Sequence, residues 1–222
     1  LGLDHEHGTL GAGDDQVQVT LNPNGSLDFD VNGETFEVEN NIWVIGNDKE
    51  CFVLDAPHNV DDIMDVVGDR EVVAILCTHA LDDHVRMAPA LGSRTNAPIL
   101  LNPIDTRLWH QTHPTINPDN EINHNDMFYI GGAGLRVLHT PGHSEGGVCL
   151  WVPTMGVVFT GDTLFKDGPG ATGRSFSNKE TLLKSIHDHL FTLPDDTIVH
   201  PGHGESTTIG AEKAKTEIYG EH

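Results

Sequence analysis

The sequence predicts an α/β sandwich, two mostly β layers with helices outside, folded as a single domain over residues 1–222. Three observations lead there. Strands with apolar–polar alternation come first as hairpins and then give way to strand–helix alternation. The order of elements roughly repeats in the second half. No linker or low-complexity stretch interrupts it.

In chain order, residues 17–21 and 27–31 alternate apolar with polar, and Asn22-Pro23-Asn24-Gly25 between them reads as the turn of a hairpin with one wet face. Residues 42–45 and 51–54 make a second pair around Gly46-Asn47-Asp48. Residues 61–68 are a short amphipathic helix, with Ile63, Met64, Val66 and Val67 partly on one side. The continuous apolar run 72–76 is a buried strand. A helix over 82–91, a strand over 98–101 and a helix over 104–111 follow. Residues 128–130, 135–138, 148–151 and 156–159 are strands joined by turns bearing Gly or Pro. Residues 179–190 form a helix with Leu182, Leu183, Ile186 and Leu190 at core spacing. A strand over 197–199 and a helix over 209–219 close the order. Residues 1–14 carry no such pattern and are expected to be a flexible N-terminal segment.

Composition narrows the function classes. The formal net charge is −22, a field that repels phosphate backbones, and no Lys/Arg cluster offsets it, so nucleic acid is not an expected partner. No apolar run approaches the roughly 18 residues a membrane span needs. The N-terminal residues lack the basic and apolar regions of a signal peptide, and the absence of an initial Met fits a processed start. Cys51, Cys77 and Cys149 each lie in an apolar strand-like run. They are read as buried core residues, and an odd count without a secretory signal points to a reducing, cytoplasmic compartment.

Residues able to bind metal recur where strands end. His79, Asp83 and His84 lie in Cys77-Thr78-His79-Ala80-Leu81-Asp82-Asp83-His84, just after the buried run 72–76. His143 lies in Thr140-Pro141-Gly142-His143-Ser144, Asp162 in Thr160-Gly161-Asp162-Thr163, and His203 in His200-Pro201-Gly202-His203-Gly204. Imidazole and carboxylate are the ligands of zinc, and also of iron and manganese. One such pair beside a glycine is an ordinary turn; four strand ends of this design point to one polynuclear metal centre. His58 and His200, near the same edge, are candidates for orienting the ligands.

With Asp55, and with Gly161-Asp162-Thr163-Leu164-Phe165, this series resembles the metallo-β-lactamase-fold hydrolases, nearest to their glyoxalase II-like branch, over residues 42–204. The resemblance implies an αββα sandwich with the site at one edge. It implies two zinc ions: His79 and His143 on metal one, Asp83, His84 and His203 on metal two, Asp162 bridging, and Asp55 supporting the ligand loop. Asp83 and Asp162 would be the catalytic carboxylates, around a bridging hydroxide that attacks the substrate's carbonyl.

The family motif is His-x-His-x-Asp-His, and Leu81 stands where its second imidazole, a ligand of metal one, belongs. Leucine cannot coordinate. Three readings follow. The chain is a hydrolase of low or no activity because of Leu81; or a single-metal enzyme using His79, His143 and Asp162, the two-His-one-carboxylate set that suits iron in the related persulfide dioxygenases; or a non-catalytic binding protein on the same fold.

The expected substrate is a small molecule, a thioester of a small thiol. β-Lactamases of this fold place Cys or His where Asp162 stands. Longer glyoxalase II-like members hold the thiol's carboxylate with a basic and an aromatic residue after Gly-Asp-Thr-Leu-Phe. Lys166, Arg174 and Phe176 lie in that stretch here, Arg174 and Phe176 being the substrate-binding candidates. The longer members' helical domain is missing, so a thiol other than glutathione fits the chain.

Overall fold

Apolar runs that are buried on both faces organise the molecule. The computed structural model describes residues 8–10, 17–22, 26–31 and 34–221. In β5 (Ile42–Gly46), Trp43 and Ile45 face one apolar layer while Ile42 and Val44 face another, which is what period-2 geometry does to an unbroken apolar strand. The same division holds in β6 (Glu50–Leu54) and β7 (Glu71–Leu76).

These strands belong to a seven-stranded sheet that also holds β1 (Gly8–Leu10), β2 (Val17–Asn22), β8 (Ile99–Leu101) and β9 (Asn120–Glu121), in the order β1-β2-β5-β6-β7-β8-β9. It is antiparallel up to β6 and parallel from β6 onward. A six-stranded sheet stacks on it, formed by β10 (Met127–Ile130), β11 (Ala133–His139), β12 (Val148–Val152), β13 (Val157–Gly161), β16 (Ile198–Pro201) and β17 (Thr207–Thr208) in that order; β14 (Leu164–Phe165) and β15 (Gly168–Pro169) pair with each other after β13. Between them Trp43, Ile45, Phe52, Leu54 and Leu76 meet Leu135, Val137, Leu150, Val152 and Phe159.

Helices cover both outer faces. Against the first sheet lie α1 (Val60–Val67), α2 (Asp82–Val85), α3 (Ala88–Thr95) and α4 (Thr106–Thr112), burying Ile63, Val67, Val85, Leu91 and Trp109. Against the second lie α5 (Lys179–Ser185), continued by a π-helical stretch at Ile186–Leu190, then α6 (Ile209–Lys213) and α7 (Thr216–Tyr219). The result is the expected four-layer αββα sandwich, in one domain.

Several local expectations are corrected. The first hairpin does not form: Val17–Asn22 pairs with β5, and Ser26–Val31 (β3) pairs instead with Glu34–Glu39 (β4). Asn32-Gly33, between β3 and β4 in the sequence, is the stronger two-residue hairpin signal, and β2 gains ladder partners along a larger sheet. The helix expected over 82–91 is broken at Met87, and Pro89, which lacks an N–H, enters in the first turn of α3. The helix expected over 209–219 is two short helices. Within the segment expected to be flexible, Gly8–Leu10 form a strand paired with β2; the other residues of 1–14 lie outside the described residues. Cys51, Cys77 and Cys149 are free and buried. No helix among the described residues is long and apolar enough to cross a membrane.

Candidate metal centre

The parallel strands deliver their loops to one sandwich edge, where six ligand-type side chains converge. His79 follows β7, Asp83 and His84 lie on α2, His143 follows β11, Asp162 follows β13 and His203 follows β16. Asp162, 6% exposed, is the centre. Its Oδ2 lies 3.2 Å from His203 Nε2, 3.4 Å from His143 Nε2 and 3.7 Å from His79 Nε2, and its Oδ1 lies 3.1 Å from His84 Nε2. Asp83 Oδ2 lies 3.3 Å from His203 Nε2 and 3.6 Å from His84 Nε2. The donors form two groups sharing Asp162: His79–His143–Asp162 and Asp83–His84–Asp162–His203.

Every imidazole is held from behind through Nδ1. His84 Nδ1 donates to Asp55 Oδ2 at 2.8 Å, His143 Nδ1 to the Ala171 carbonyl at 2.7 Å and His203 Nδ1 to the Glu39 carbonyl at 2.7 Å. His79 Nδ1 donates to Thr78 Oγ1 at 3.0 Å, and that hydroxyl donates to Asp55 Oδ2 at 2.7 Å. Such bonds fix the tautomer of the neutral ring, the form in which Nε2 carries the lone pair a metal takes. Asp55 also accepts from the Thr78 N–H at 2.7 Å, and its own backbone sits at φ +65°, a sparsely populated region held by this network. At Gly202 an added Cβ would stand 2.5 Å from Asp162 Oδ1 and 2.8 Å from His84 Cε1, so only glycine lets this loop close on the centre.

The electrostatics suit cations. Burial raises Asp162, but His84, His143 and His203 outweigh it and hold the carboxyl well below its usual range. Burial works against ionised Asp83 likewise, and His84 and His203 keep it low. Burial depresses His203, while Asp162 and Asp83 lift it to about 10; for His84, Asp162, Asp83 and Asp55 outweigh burial and lift it well above its ordinary value. His79 is driven well down, by burial first and by His84 second. A divalent ion fits this set. The buried His79 Nε2, His143 Nε2 and Asp162 Oδ1 have no hydrogen-bond partner, His84 and His203 turn Nε2 to Nε2 at 3.3 Å, and buried polar atoms left so are rare without a ligand.

All six residues expected to bind metal are thus brought together, and Asp55 touches one of them, His84, directly and reaches His79 through Thr78. Leu81 is half-buried at the start of α2 and packs on the apolar layer outside the first sheet, as does Phe176. Phe176 lines a cavity of about 230 Å³ with Asp105, Arg107, Leu108, Gln111 and Glu145. Arg174 is exposed and outside that lining, and the cation facing it is Arg107. Lys166 pairs with Glu205 at 2.5 Å. His58 is buried, and His200 stacks on Trp43 and bonds Ser206 Oγ at 2.8 Å rather than a ligand.

Two polar residues escaped the sequence reading. Asn40 Nδ2 donates to Asp83 Oδ2 at 3.3 Å and to the Asp83 carbonyl at 2.7 Å, steadying that carboxylate. Asp105, fully buried, accepts from the Ala80 N–H at 3.0 Å, Ser144 Oγ at 2.8 Å and the Gly146 N–H at 2.6 Å. Burial raises its carboxyl against the pull of those bonds. Neither stands in a motif; the faint signal was Asn102-Pro103-Ile104-Asp105, a capped turn at another strand end.

Residues 36–203 match the family model described as the metallo-beta-lactamase superfamily. The chain is similar to the probable metallo-hydrolase YqgX of Bacillus subtilis, 30% identical over 79% of this chain and 90% of that protein. It is also similar to the hydroxyacylglutathione hydrolase GloC of Haemophilus influenzae, 30% identical over 78% and 87%. Among solved structures it resembles TTHA1623 in a di-iron-bound form, at TM-score 0.70 and 26% identity, covering 86% of this chain and 98% of that one. Given the αββα layers, the edge cluster and a family match spanning most of its length, the chain belongs to the metallo-β-lactamase superfamily.

Proposed function

We propose that the protein is a metal-dependent hydrolase of thioesters, compounds in which an acyl group is joined to a small thiol, with its metal-one half weakened by Leu81. The carrying observation is Asp162, an oxygen donor set among all four imidazoles at 3.1–3.7 Å, where lactam-cleaving relatives would place another side chain. The similarity to GloC, named a hydroxyacylglutathione hydrolase, supports the reaction class.

His79, His143 and Asp162 would hold one ion and Asp83, His84, Asp162 and His203 the other; zinc, iron and manganese all suit these donors. Ions there supply Lewis acidity towards a carbonyl and make water acidic enough to act near neutral pH. The chain's own groups do the rest. Asp83, about a quarter exposed and held by Asn40, is placed to accept a hydrogen bond from the attacking water and orient it. Water adds to the acyl carbon, the carbon–sulfur bond breaks, and the departing thiolate takes up a proton, giving a carboxylic acid and a thiol. The cavity at Phe176 and Arg107 would receive the arm of the substrate away from the reacting carbon, with Phe176 as apolar wall and Arg107 as the charged contact.

The test is thiol release from a panel of acyl thioesters by the zinc- or iron-loaded chain, with a β-lactam and a persulfide as alternative substrates. Thiol release above the metal-free background is expected. Oxygen uptake with the persulfide, without thioester cleavage, would replace this reading with the single-iron one based on His79, His143 and Asp162. Cleavage of neither, before and after Leu81→His, would leave a binding protein.

A further inference from the structure

We propose that Asp105 is the positioning residue of the metal-one half of the centre. This rests on the reading of His79, His143 and Asp162 as a metal site. The two imidazoles there come from loops far apart in the chain, after β7 and after β11, and Asp105 bonds the residue that follows each of them. Its Oδ2 accepts from the Ala80 N–H, next to His79, and from Ser144 Oγ, next to His143. Its Oδ1 accepts from the Gly146 N–H at 2.6 Å, closing the second loop from its far side. The packing is tight enough that a Cβ on Gly146 would stand 2.6 Å from the Asp105 amide nitrogen and 2.8 Å from Oδ1.

Asp105 is itself rigidly mounted. Its N–H donates to the Asn102 carbonyl at 3.0 Å, and Asn102 Oδ1 accepts from the Ile104 N–H at 3.0 Å. Asn102 Nδ2 donates to the Ile122 carbonyl at 3.0 Å. One capped turn between β8 and α4 therefore fixes a carboxylate, and that carboxylate fixes two ligand loops. Asp55 does the corresponding work elsewhere, through His84 directly and through Thr78 behind His79. Each half of the centre thus has its own buried carboxylate, and only His79 is reached by both.

The arrangement sets His79 and His143 with ring centroids 5.0 Å apart and planes at 82°. A site left with three protein donors depends more on that preset geometry than one with four, because ordering the donors is a cost met before the ion arrives. Tethering two loops could be done by a neutral side chain; a fully desolvated carboxylate is the costlier choice, and it accepts every bond offered to it.

The experiment is a zinc titration of the full chain against a chromophoric chelator, repeated with cobalt to follow the absorption of each ion as it enters. Asp105→Ala should weaken the weaker binding event by about 10–100-fold, as losses behind metal ligands do, and leave the tighter event and its cobalt spectrum within about twofold. Ser144→Ala, which removes one of the three bonds, should weaken the same event to a smaller degree and guards against a fold lost in Asp105→Ala. Both events shifting together, or neither shifting, would overturn the assignment of Asp105 while leaving the metal reading intact. The same titration on Leu81→His separates the two: if that chain still takes up only one ion, the metal-one reading fails and the role of Asp105 with it.

Discussion

Replacing Leu81 by His should rebuild metal one at a measurable cost to the metal-free fold. Leu81 has φ −68° and ψ 146° ahead of α2, an extended conformation that histidine adopts as readily, so the backbone adds no penalty. Its side chain is half-buried against the layer that includes Val85 and Leu108. Full burial of a leucine contributes about 1.5–3 kcal/mol, so losing half of it costs about 1 kcal/mol. In a chain of this length that lowers the metal-free midpoint by about 2–4 °C. Against this stands a fourth donor beside His79, His143 and Asp162. A change of at least 10–100-fold in affinity corresponds to about 1.4–2.7 kcal/mol, which exceeds the loss once zinc is in excess. The signature is a crossing: Leu81→His melts below the parent in chelator and above it in zinc, and the zinc titration shows a second event tightened by at least tenfold. A midpoint lowered equally in both conditions, with unchanged stoichiometry, would refute the view that position 81 faces metal one.

Other consequences are independent of that substitution. Metal entry at Asp83–His84–Asp162–His203 should release about two protons at pH 7, because His84 and His203 are held protonated and ligating imidazoles must be neutral; affinity then climbs with pH up to about 10, the value for His203, and calorimetry in buffers of different ionisation enthalpy would expose a release of zero. His200 is depressed by burial to about 4, below its unfolded value, so its contribution is complete above pH 6.5 and is lost as pH falls towards 4. The loss is about 3 kcal/mol, and denaturant unfolding of the metal-free chain at both pH values should show a shallower decline in His200→Phe. Arg107→Ala should raise KM several-fold for thioesters carrying a carboxylate on the non-reacting arm, with kcat little changed; equal KM values for charged and neutral arms would remove Arg107 from substrate contact.

The convergence of the six ligand-type residues was legible because each is a polar residue near the end of an apolar run, and a run such as Val72–Leu76 reads as a buried strand whose loop emerges at a sheet edge. Leu81 stood out in the sequence as a non-polar residue among the ligand-type side chains of residues 79–84. Asp105 was not, because what makes it matter is three donors, two of them backbone N–H groups, which are identical at every position until the fold selects them. That Arg107 and not Arg174 lines the cavity beside Phe176 was not legible, because sequence distance from Asp162 is a poor guide to which helix lines a cavity. The first hairpin lost to a stronger turn signal: Asn32-Gly33 favours pairing of β3 with β4 over pairing of β2 with β3 across Asn22-Pro23-Asn24-Gly25.

How far the loss of one donor spreads depends on how the remaining ones are held. His84 rests on Asp55, His143 on the Ala171 carbonyl, His203 on the Glu39 carbonyl and His79 on Thr78. Thr78 and Asp55 link two of these supports, Asp105 ties the loops after His79 and His143, and none of these bonds involves the side chain at 81. Contacts without shared partners act nearly additively, so a change of the side chain at 81 should leave the four imidazoles aimed as they are. The apolar layers between and outside the sheets are built by other side chains, with Leu81 packed only at the margin of one of them. A substitution at position 81 should therefore alter what this edge binds more than how the sandwich folds.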